Sequence, residues 1–256
     1  MSLAERVWDA RLRGTRISMS TVEVPADEAA AYEIQDAISQ IANDKIIGFK
    51  LGATSQAALA ALGLSEPFYG PLYDGFSHRS GEVVALSSKH QVLIETEIAV
   101  GLDTDLPPRD GDYTQQDVEA AAAWIGPAFE LVATRFNMEL AGNGILLIAD
   151  GGANADFVMG DQVSDWSPLD LTQHPVTQTI NDGESARGHS GMSIFGNPFA
   201  AVAWLANHKN LWERGLKAGD IITTGTCTGM TPLGDGDQAH ADLGRLGQLS
   251  MRLALQ

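Results

Sequence analysis

Two glutamates separated by one residue stand in a strand-like segment of this chain. Glu95 and Glu97 lie in the apolar, β-branched run VLIETEIAV, residues 92–100. Because successive side chains of a strand alternate between its faces, both carboxylates would share one face. Two buried carboxylates repel each other and lose hydration, so such a pair needs a proton or a cation. The alternative is a solvated face of an edge strand, where neither is needed.

A third glutamate has a similar setting. Glu130 lies between Phe129 and Leu131 in another strand-like run, PAFELVATRF, residues 127–136. Carboxylates are the ligands that Mg²⁺ or Mn²⁺ prefers, and such ions keep coordination positions for water or substrate. Zinc, which favours cysteine and histidine ligands, fits these residues less well. If the two strands are neighbours, the sequence predicts a Mg²⁺ or Mn²⁺ site.

Two further segments carry side chains with possible chemistry. Lys50 interrupts the apolar run IIGFKLGAT, and a desolvated lysine could pair with a carboxylate or act as an acid or base. The alternative is a lysine that snorkels to solvent. The glycine-rich run at residues 225–237 could present backbone N–H groups to an anion, or form a plain turn. Cys227 within it is either a nucleophile or a small residue in that turn.

The composition limits the partners. A formal net charge of −17 over 256 residues argues against binding to nucleic acid or to an anionic membrane, because phosphates attract basic patches. One cysteine cannot form an intramolecular disulfide and fits a reducing compartment. The sequence shows neither an apolar signal core nor an uncharged run of the ~20 residues that a membrane span needs. We therefore expect a soluble, cytoplasmic protein.

Strand-like runs dominate the chain after residue 81, and the few helical runs do not alternate with them. This pattern favours an α+β fold with a mixed β-sheet roll over a doubly wound sheet. The Pro/Gly-rich segment SEPFYGPLYDGF, residues 65–76, is expected to be a loop. It would separate a small N-terminal helical and α/β portion, residues 1–75, from a metal-binding β-roll catalytic domain, residues 76–256.

Taken together, the segments resemble the 2-keto-4-pentenoate hydratase/4-oxalocrotonate decarboxylase family of the fumarylacetoacetate hydrolase superfamily. The resemblance covers about residues 29–253. The segments that carry it, in the family's order, are GFKLGATS, EPFYGPLYDGF, the ETE strand, PAFELVATRF, IADGGANADFVMGD and NPFAAVAWLAN…LKAGDIITTGT. The E-x-E strand with a downstream glutamate is the specific part.

The resemblance implies a β-roll of the fumarylacetoacetate hydrolase C-terminal type that holds Mg²⁺ or Mn²⁺ on three acidic residues. Glu95, Glu97 and Glu130 correspond to these ligands. Lys50 corresponds to an active-site lysine, and Asp74 falls in the loop on the substrate side. From the residues alone, Asp74 is equally a turn former.

The implied reaction is hydration of a 2-hydroxy-2,4-dienoate to a 4-hydroxy-2-oxo acid in the catabolism of aromatic compounds. The alternatives are decarboxylation of a 4-oxalocrotonate-like diacid, hydrolysis of a C–C bond, and a scaffold subunit without activity. The chain departs from the family where serines often follow the Ala-Asp pair, having GGAN at residues 151–154, and in TGTCTGMTP, residues 224–232. Both departures are expected to affect the substrate pocket.

The resemblance also implies a homo-oligomer that acts on a small 2-oxo acid. Four large apolar residues of the N-terminal third are candidates for its interface: Tyr32, Ile34, Phe68 and Tyr69. For each of them, a place in the buried core of one chain is the alternative.

Overall fold

The computed structural model describes residues 1–88, 91–211 and 213–256, with only the backbone of Glu184 and Ser185. The α-helices in these ranges are Leu3–Arg13 (α1), Glu28–Ala42 (α2), Gln56–Leu62 (α3), Gln115–Ala121 (α4), Gly144–Ala149 (α5) and Pro198–Ala206 (α6). The described helices include none that is both long and apolar enough to cross a membrane.

The strands are Ile46–Gly52 (β1), Phe68–Tyr73 (β2), Ser77–Arg79 (β3), Val83–Leu86 (β4), Val92–Leu102 (β5), Ala122–Val132 (β6), Asn154–Met159 (β7), Pro175–Ile180 (β8), Gly183–His189 (β9), Ile221–Thr226 (β10), Thr231–Leu233 (β11), Gln238–Asp242 (β12) and Gln248–Leu255 (β13). They form an eight-stranded sheet in the order β2-β1-β10-β5-β6-β7-β3, to which β11 adds by pairing with β5, and a five-stranded sheet in the order β4-β13-β12-β8-β9. Parallel and antiparallel pairs occur in both sheets. The predicted α+β fold with a mixed sheet is confirmed.

The long strands β5 and β6 pair antiparallel along most of their length and form the centre of the larger sheet. Most of the side chains of both strands are buried, which explains their nearly continuous apolar sequence. Within β5, the alternation of faces puts Glu95 and Glu97 on the same side of the strand. Glu95 lies opposite Glu130 in the register, and Glu97 lies opposite Ala128.

Helix boundaries follow the local sequence signals. The side chain of Ser55 accepts a hydrogen bond from the backbone N–H of Ala58, and Gly63 ends α3 in the left-handed conformation. Thr114 and Asp117 form a capping box at the start of α4. The strand β6 begins directly after this helix, so the alanine-rich run there is shared between a helix and a strand.

The expected loop at residues 65–76 is wrong in part, because it contains the fully buried strand β2. This strand pairs antiparallel with β1 and lies at the edge of the larger sheet. Pro71 is tolerated there because an edge strand can leave one side without hydrogen bonds to a neighbour. The boundary at residues 75/76 stays a prediction, while β1 pairs with β10 in one continuous sheet.

Three of the four candidate interface residues belong to the core. Tyr32, Phe68 and Tyr69 are only 2–3% exposed, and the rings of the two tyrosines stack at 4.7 Å. Ile34 is partly buried and packs against the same core. For the three buried side chains, the alternative of a place in the core is therefore correct, because they have no surface to offer a partner.

We expect Gly70→Ala to destabilise the fold. A Cβ at Gly70 in β2 would collide with the backbone carbonyl of Gly151, which cannot move aside as a side chain could. Overpacking of this kind costs about 1–3 kcal/mol in the free energy of unfolding, measurable by urea denaturation. Gly183→Ala is the matched control, since the nearest heavy atom to its added Cβ lies 3.9 Å away. Equal stabilities of the two variants would contradict this packing.

Candidate metal centre and substrate cavity

The structure brings the three glutamates together. One carboxylate oxygen each of Glu95, Glu97 and Glu130 lies within 4.8 Å of the other two. Glu97 and Glu130 are 0% and 1% exposed, and Glu95 is partly exposed. The convergence follows from the pairing of β5 with β6, which places Glu130 beside the glutamate pair. A solvated edge-strand face is therefore ruled out for this cluster.

Hydrogen bonds hold one oxygen of each buried carboxylate and leave the other without a partner. The Lys50 ammonium lies 3.0 Å from Glu130 Oε1, and Asn154 Nδ2 donates to the same oxygen at 3.2 Å. The backbone N–H of Gly225 donates to Glu97 Oε2 at 2.7 Å. Glu130 Oε2 and Glu97 Oε1 are buried and accept no hydrogen bond from the residues described. Orphaned acceptors of this kind point to a ligand.

Burial and the neighbouring charges make Glu95 and Glu97 hard to ionise. Burial, followed by the charge of Glu130, raises the pKa of Glu95 from 4.5 to about 7. Burial, followed by the charges of Glu130 and Glu95, raises the pKa of Glu97 well above its usual range. Lys50 lowers both pKa values, but when all three carboxylates are ionised one ammonium leaves two negative charges unbalanced. A divalent cation with oxygen ligands, such as Mg²⁺ or Mn²⁺, fits this deficit.

A cavity of about 300 Å³ opens beside the cluster. Lys50, Glu95, Thr54, Ser55 and Thr226 contribute polar groups to its lining. The remaining lining is mainly apolar, and its largest side chains are Leu51, Leu62, Phe68, Val132, Leu140, Leu147 and Met230. Within the described chain, Lys50 supplies the only cationic side chain of this lining. The cavity can thus receive a small anion with an apolar tail.

Lys50 faces this cavity and does not snorkel. It is 2% exposed, and its ammonium lies 5.2 Å from the centre of the Phe68 ring. The turn at Gly152 packs against the lysine so closely that an added Cβ would collide with Lys50 Cε. Gly152 also has a φ of +73°, a conformation that side chains disfavour. Gly152 therefore makes room for the lysine.

Asp74 is not brought to this site. It is exposed, its backbone N–H donates to the Lys45 carbonyl at 2.9 Å, and it lies outside the cavity lining in the described chain. Lys50 pairs with Gly70 across β1 and β2, so Asp74 lies four residues or about 13 Å farther along the strand direction. The family resemblance placed Asp74 in a loop on the substrate side, whereas the strand β2 leads away from Lys50 toward Asp74.

Sequence reasoning missed Asn154 and left the role of the glycine-rich run open. Gly225 in that run does present its N–H to an anion, the carboxylate of Glu97. Its φ is +96°, and an added Cβ would collide with Thr54, so glycine is required here. Cys227 is buried, and burial raises the pKa of its thiol, which favours the small turn residue over a nucleophile.

A model of the family described as fumarylacetoacetate hydrolase, C-terminal, matches residues 55–254. The chain belongs to the fumarylacetoacetate hydrolase family. It is 33% identical to 4-oxalocrotonate decarboxylase of Pseudomonas putida, covering 98% of this chain and 96% of that one. It is 32% identical to 2-keto-4-pentenoate hydratase of Burkholderia vietnamiensis, covering 88% and 86%.

Among solved structures, the chain is similar to 4-oxalocrotonate decarboxylase from Pseudomonas putida G7, complexed with magnesium and adipate. The TM-score is 0.88 at 30% identity, over 98% of this chain and 95% of that one. The resemblance to the hydratase and decarboxylase family that the sequence motifs indicated is thereby confirmed, over nearly the full length of both chains.

The raised pKa of Glu95 predicts a stability difference that depends on pH. Between its ordinary pKa of 4.5 and about 7, the folded state binds more protons than the unfolded state, so stability falls as pH rises through this window. In EDTA, wild-type protein should lose stability relative to Glu95→Gln from about pH 5 to about pH 8, measured by urea unfolding. Mg²⁺ should restore the wild type at the higher pH. If the stabilities of the two proteins change equally with pH, the raised pKa of Glu95 is contradicted.

Proposed function

We propose that this protein is a metal-dependent hydratase that adds water to a 2-hydroxy-2,4-dienoate and yields a 4-hydroxy-2-oxo acid in aromatic catabolism. The relative named as a 2-keto-4-pentenoate hydratase supports the reaction. The substrate class, a small acid with an apolar tail, is inferred from one feature of the structure. A buried cluster of three glutamates and a lysine opens into a cavity whose other walls are mainly apolar.

Glu95, Glu97 and Glu130 are proposed to hold Mg²⁺ or Mn²⁺. The orphaned oxygens of Glu97 and Glu130 support this assignment, and so does the magnesium complex of the similar decarboxylase. When bound, the ion supplies a Lewis acid that stabilises negative charge on the 2-oxygen of a 2-oxo acid. Mg²⁺ and Mn²⁺ both suit carboxylate ligands, and a cluster of glutamates alone does not select zinc.

The side chains of this protein are proposed to orient the substrate and to manage its protons. Protonation of the dienoate at its remote carbon gives a conjugated 2-oxo-enoate, and water then adds at the β-carbon. Lys50 lies where it can orient the substrate carboxylate or relay a proton, because it lines the cavity and is shielded from bulk solvent. The hydroxyls of Ser55 and Thr226 also line the cavity and can position the water.

Decarboxylation of a 4-oxalocrotonate-like diacid is the second candidate. The relative with the widest overlap reported above is a decarboxylase, which favours it. A second carboxylate on the substrate would need its own cation or hydrogen bonds, since a desolvated carboxylate is costly. In the described lining, the apolar walls offer no cation besides Lys50, which already pairs with Glu130. A second carboxylate would be left to the hydroxyl groups of Thr54, Ser55 and Thr226, and the lack of a second cation in this lining favours a substrate with one carboxylate.

We also propose that the protein acts in the cytoplasm as a homo-oligomer. Its one cysteine is free and buried, which suits a reducing compartment. Leu12 of α1 and Ile41 of α2 are 56% and 42% exposed and are apolar residues available to a second copy of the chain. The intact cluster of Lys50 and the glutamates supports an active subunit over a scaffold.

Parallel assays with two substrates distinguish the two reactions. With Mg²⁺, we expect 2-hydroxypenta-2,4-dienoate to give the hydrated product, and 4-oxalocrotonate to release little CO₂. EDTA should abolish the activity, and Glu97→Gln should lower Mg²⁺ binding and turnover together, because Glu97 offers an unpaired oxygen to the ion. A higher kcat/KM for CO₂ release than for hydration would overturn the proposed reaction.

Replacement of Lys50 tests its role in turnover. Lys50→Met keeps much of the side chain's volume and removes its charge, and we expect kcat to fall about 10²- to 10⁴-fold, the scale of an acid/base group. Lys45→Met, at an exposed lysine just before β1, is the control and should keep wild-type kcat. Normal turnover in a folded Lys50→Met protein would remove the lysine from the mechanism.

A further inference from the structure

A chain of hydrogen bonds connects the first helix of the protein to Glu130. Arg11 of α1 bonds to Asn154, and Asn154 bonds to Glu130. We infer that Asn154 is a positioning residue that presents the unpaired oxygen of Glu130 to the ion, and that Arg11 orients Asn154 for this task. This inference rests on the metal site of the proposed function.

Two donors converge on one oxygen of the Glu130 carboxylate. Lys50 Nζ lies 3.0 Å from Oε1 and Asn154 Nδ2 lies 3.2 Å from it, whereas Oε2 has no partner in the described chain. A carboxylate held in this way cannot rotate freely, so the direction of Oε2 is fixed as well. Asn154 is 1% exposed, so bulk water does not compete for its bond to Oε1. Groups that orient metal ligands in this manner raise metal affinity.

The surroundings of Asn154 determine which end of its amide faces Glu130. Arg11 Nη2 lies 3.4 Å from Asn154 Oδ1 and can only donate, so the amide oxygen must face the arginine. The amide nitrogen then faces Glu130, which can only accept when ionised. The backbone of Asn154 is held as well, because its carbonyl accepts from Arg11 Nη1 at 2.7 Å and from Arg135 Nη1 at 2.6 Å. Asn154 thus has one orientation that satisfies all its partners.

Arg11 itself is held firmly on the N-terminal helix. Its guanidinium carbon lies 4.1 Å from the centre of the Phe76 ring, and a second donor of the group bonds to the carbonyl of Ala155. Arg11 lies outside the matched residues 55–254, so the family match gives it no role. The geometry therefore makes α1 part of the support of the metal centre.

The test measures Mn²⁺ affinity by calorimetry, independently of turnover. Asn154→Leu keeps the side chain's approximate volume and removes its donor, and we expect about 10- to 100-fold weaker Mn²⁺ binding. Asn207→Leu is the matched control, since the Asn207 amide bonds to the backbone of Tyr113 and not to the glutamates. The control should keep wild-type Mn²⁺ affinity even if its melting temperature falls.

Arg11→Met tests the second link and serves if Asn154→Leu does not fold. The Arg11→Met variant should also bind Mn²⁺ more weakly. The control on the same helix is Arg13→Met, which removes an exposed ion pair with Asp9 and should keep wild-type Mn²⁺ affinity. If Arg11 acts through Asn154, the double variant should bind Mn²⁺ no more weakly than Asn154→Leu alone.

Three results would overturn the inference. Wild-type protein that binds no Mn²⁺ would remove the proposed metal centre and this inference with it. If the wild type binds Mn²⁺ and both single variants bind it equally tightly, the positioning role is overturned and the metal centre is kept. Effects of the two substitutions that simply add would show that Arg11 does not act through Asn154.

Discussion

Two buried carboxylates and a third, partly exposed one within 4.8 Å of them are a costly arrangement, and the neighbouring groups are placed to compensate for it. Glu95, Glu97 and Glu130 share one ammonium, that of Lys50. Gly225 adds a backbone donor to Glu97. These groups hold one oxygen each of Glu97 and Glu130, but one ammonium cannot balance three ionised carboxylates. A divalent ion balances the remaining charge where a set of neutral hydrogen-bond donors cannot.

The relative positions of the glutamates and Lys50 are fixed because these residues lie on paired strands. Glu95 and Glu130 face each other across β5 and β6, and β1 carries Lys50 to the same sheet through its parallel pairing with β10. The N-terminal third therefore contributes a residue, Lys50, to the site. This agrees with a similarity to the decarboxylase from Pseudomonas putida G7 that extends over 98% of the chain. A single cation and apolar walls then favour a substrate with one carboxylate and an apolar tail.

Local sequence patterns predicted what depends on local geometry. Alternation along one strand placed Glu95 and Glu97 on the same face, and the apolar context of Glu130 and Lys50 indicated their burial. The convergence of these residues in space depends on which strands pair, and only the family resemblance predicted that. The strand β2 was missed because proline and glycine usually mark loops, whereas an edge strand tolerates both. The family resemblance placed Asp74 on the substrate side, yet in the described chain it lies outside the cavity lining.

Contacts between distant residues could not be read from any local pattern. Asn154 gains its role from Arg11, 143 residues earlier in the chain, and from Glu130 on a neighbouring strand. Its only sequence signal is a departure from the serines that the family often has there. Gly225 could be recognised as a turn residue, but its bond to Glu97 depends on how β10 meets β5.

The most direct test of the metal centre is an anomalous difference map from crystals of the wild-type protein grown with Mn²⁺. We expect one strong peak per chain between the three glutamates, with carboxylate oxygens of Glu95, Glu97 and Glu130 about 2.0–2.6 Å from it. A map without a peak at this position, or with the ion bound only elsewhere on the chain, would show that the three glutamates do not form a metal centre.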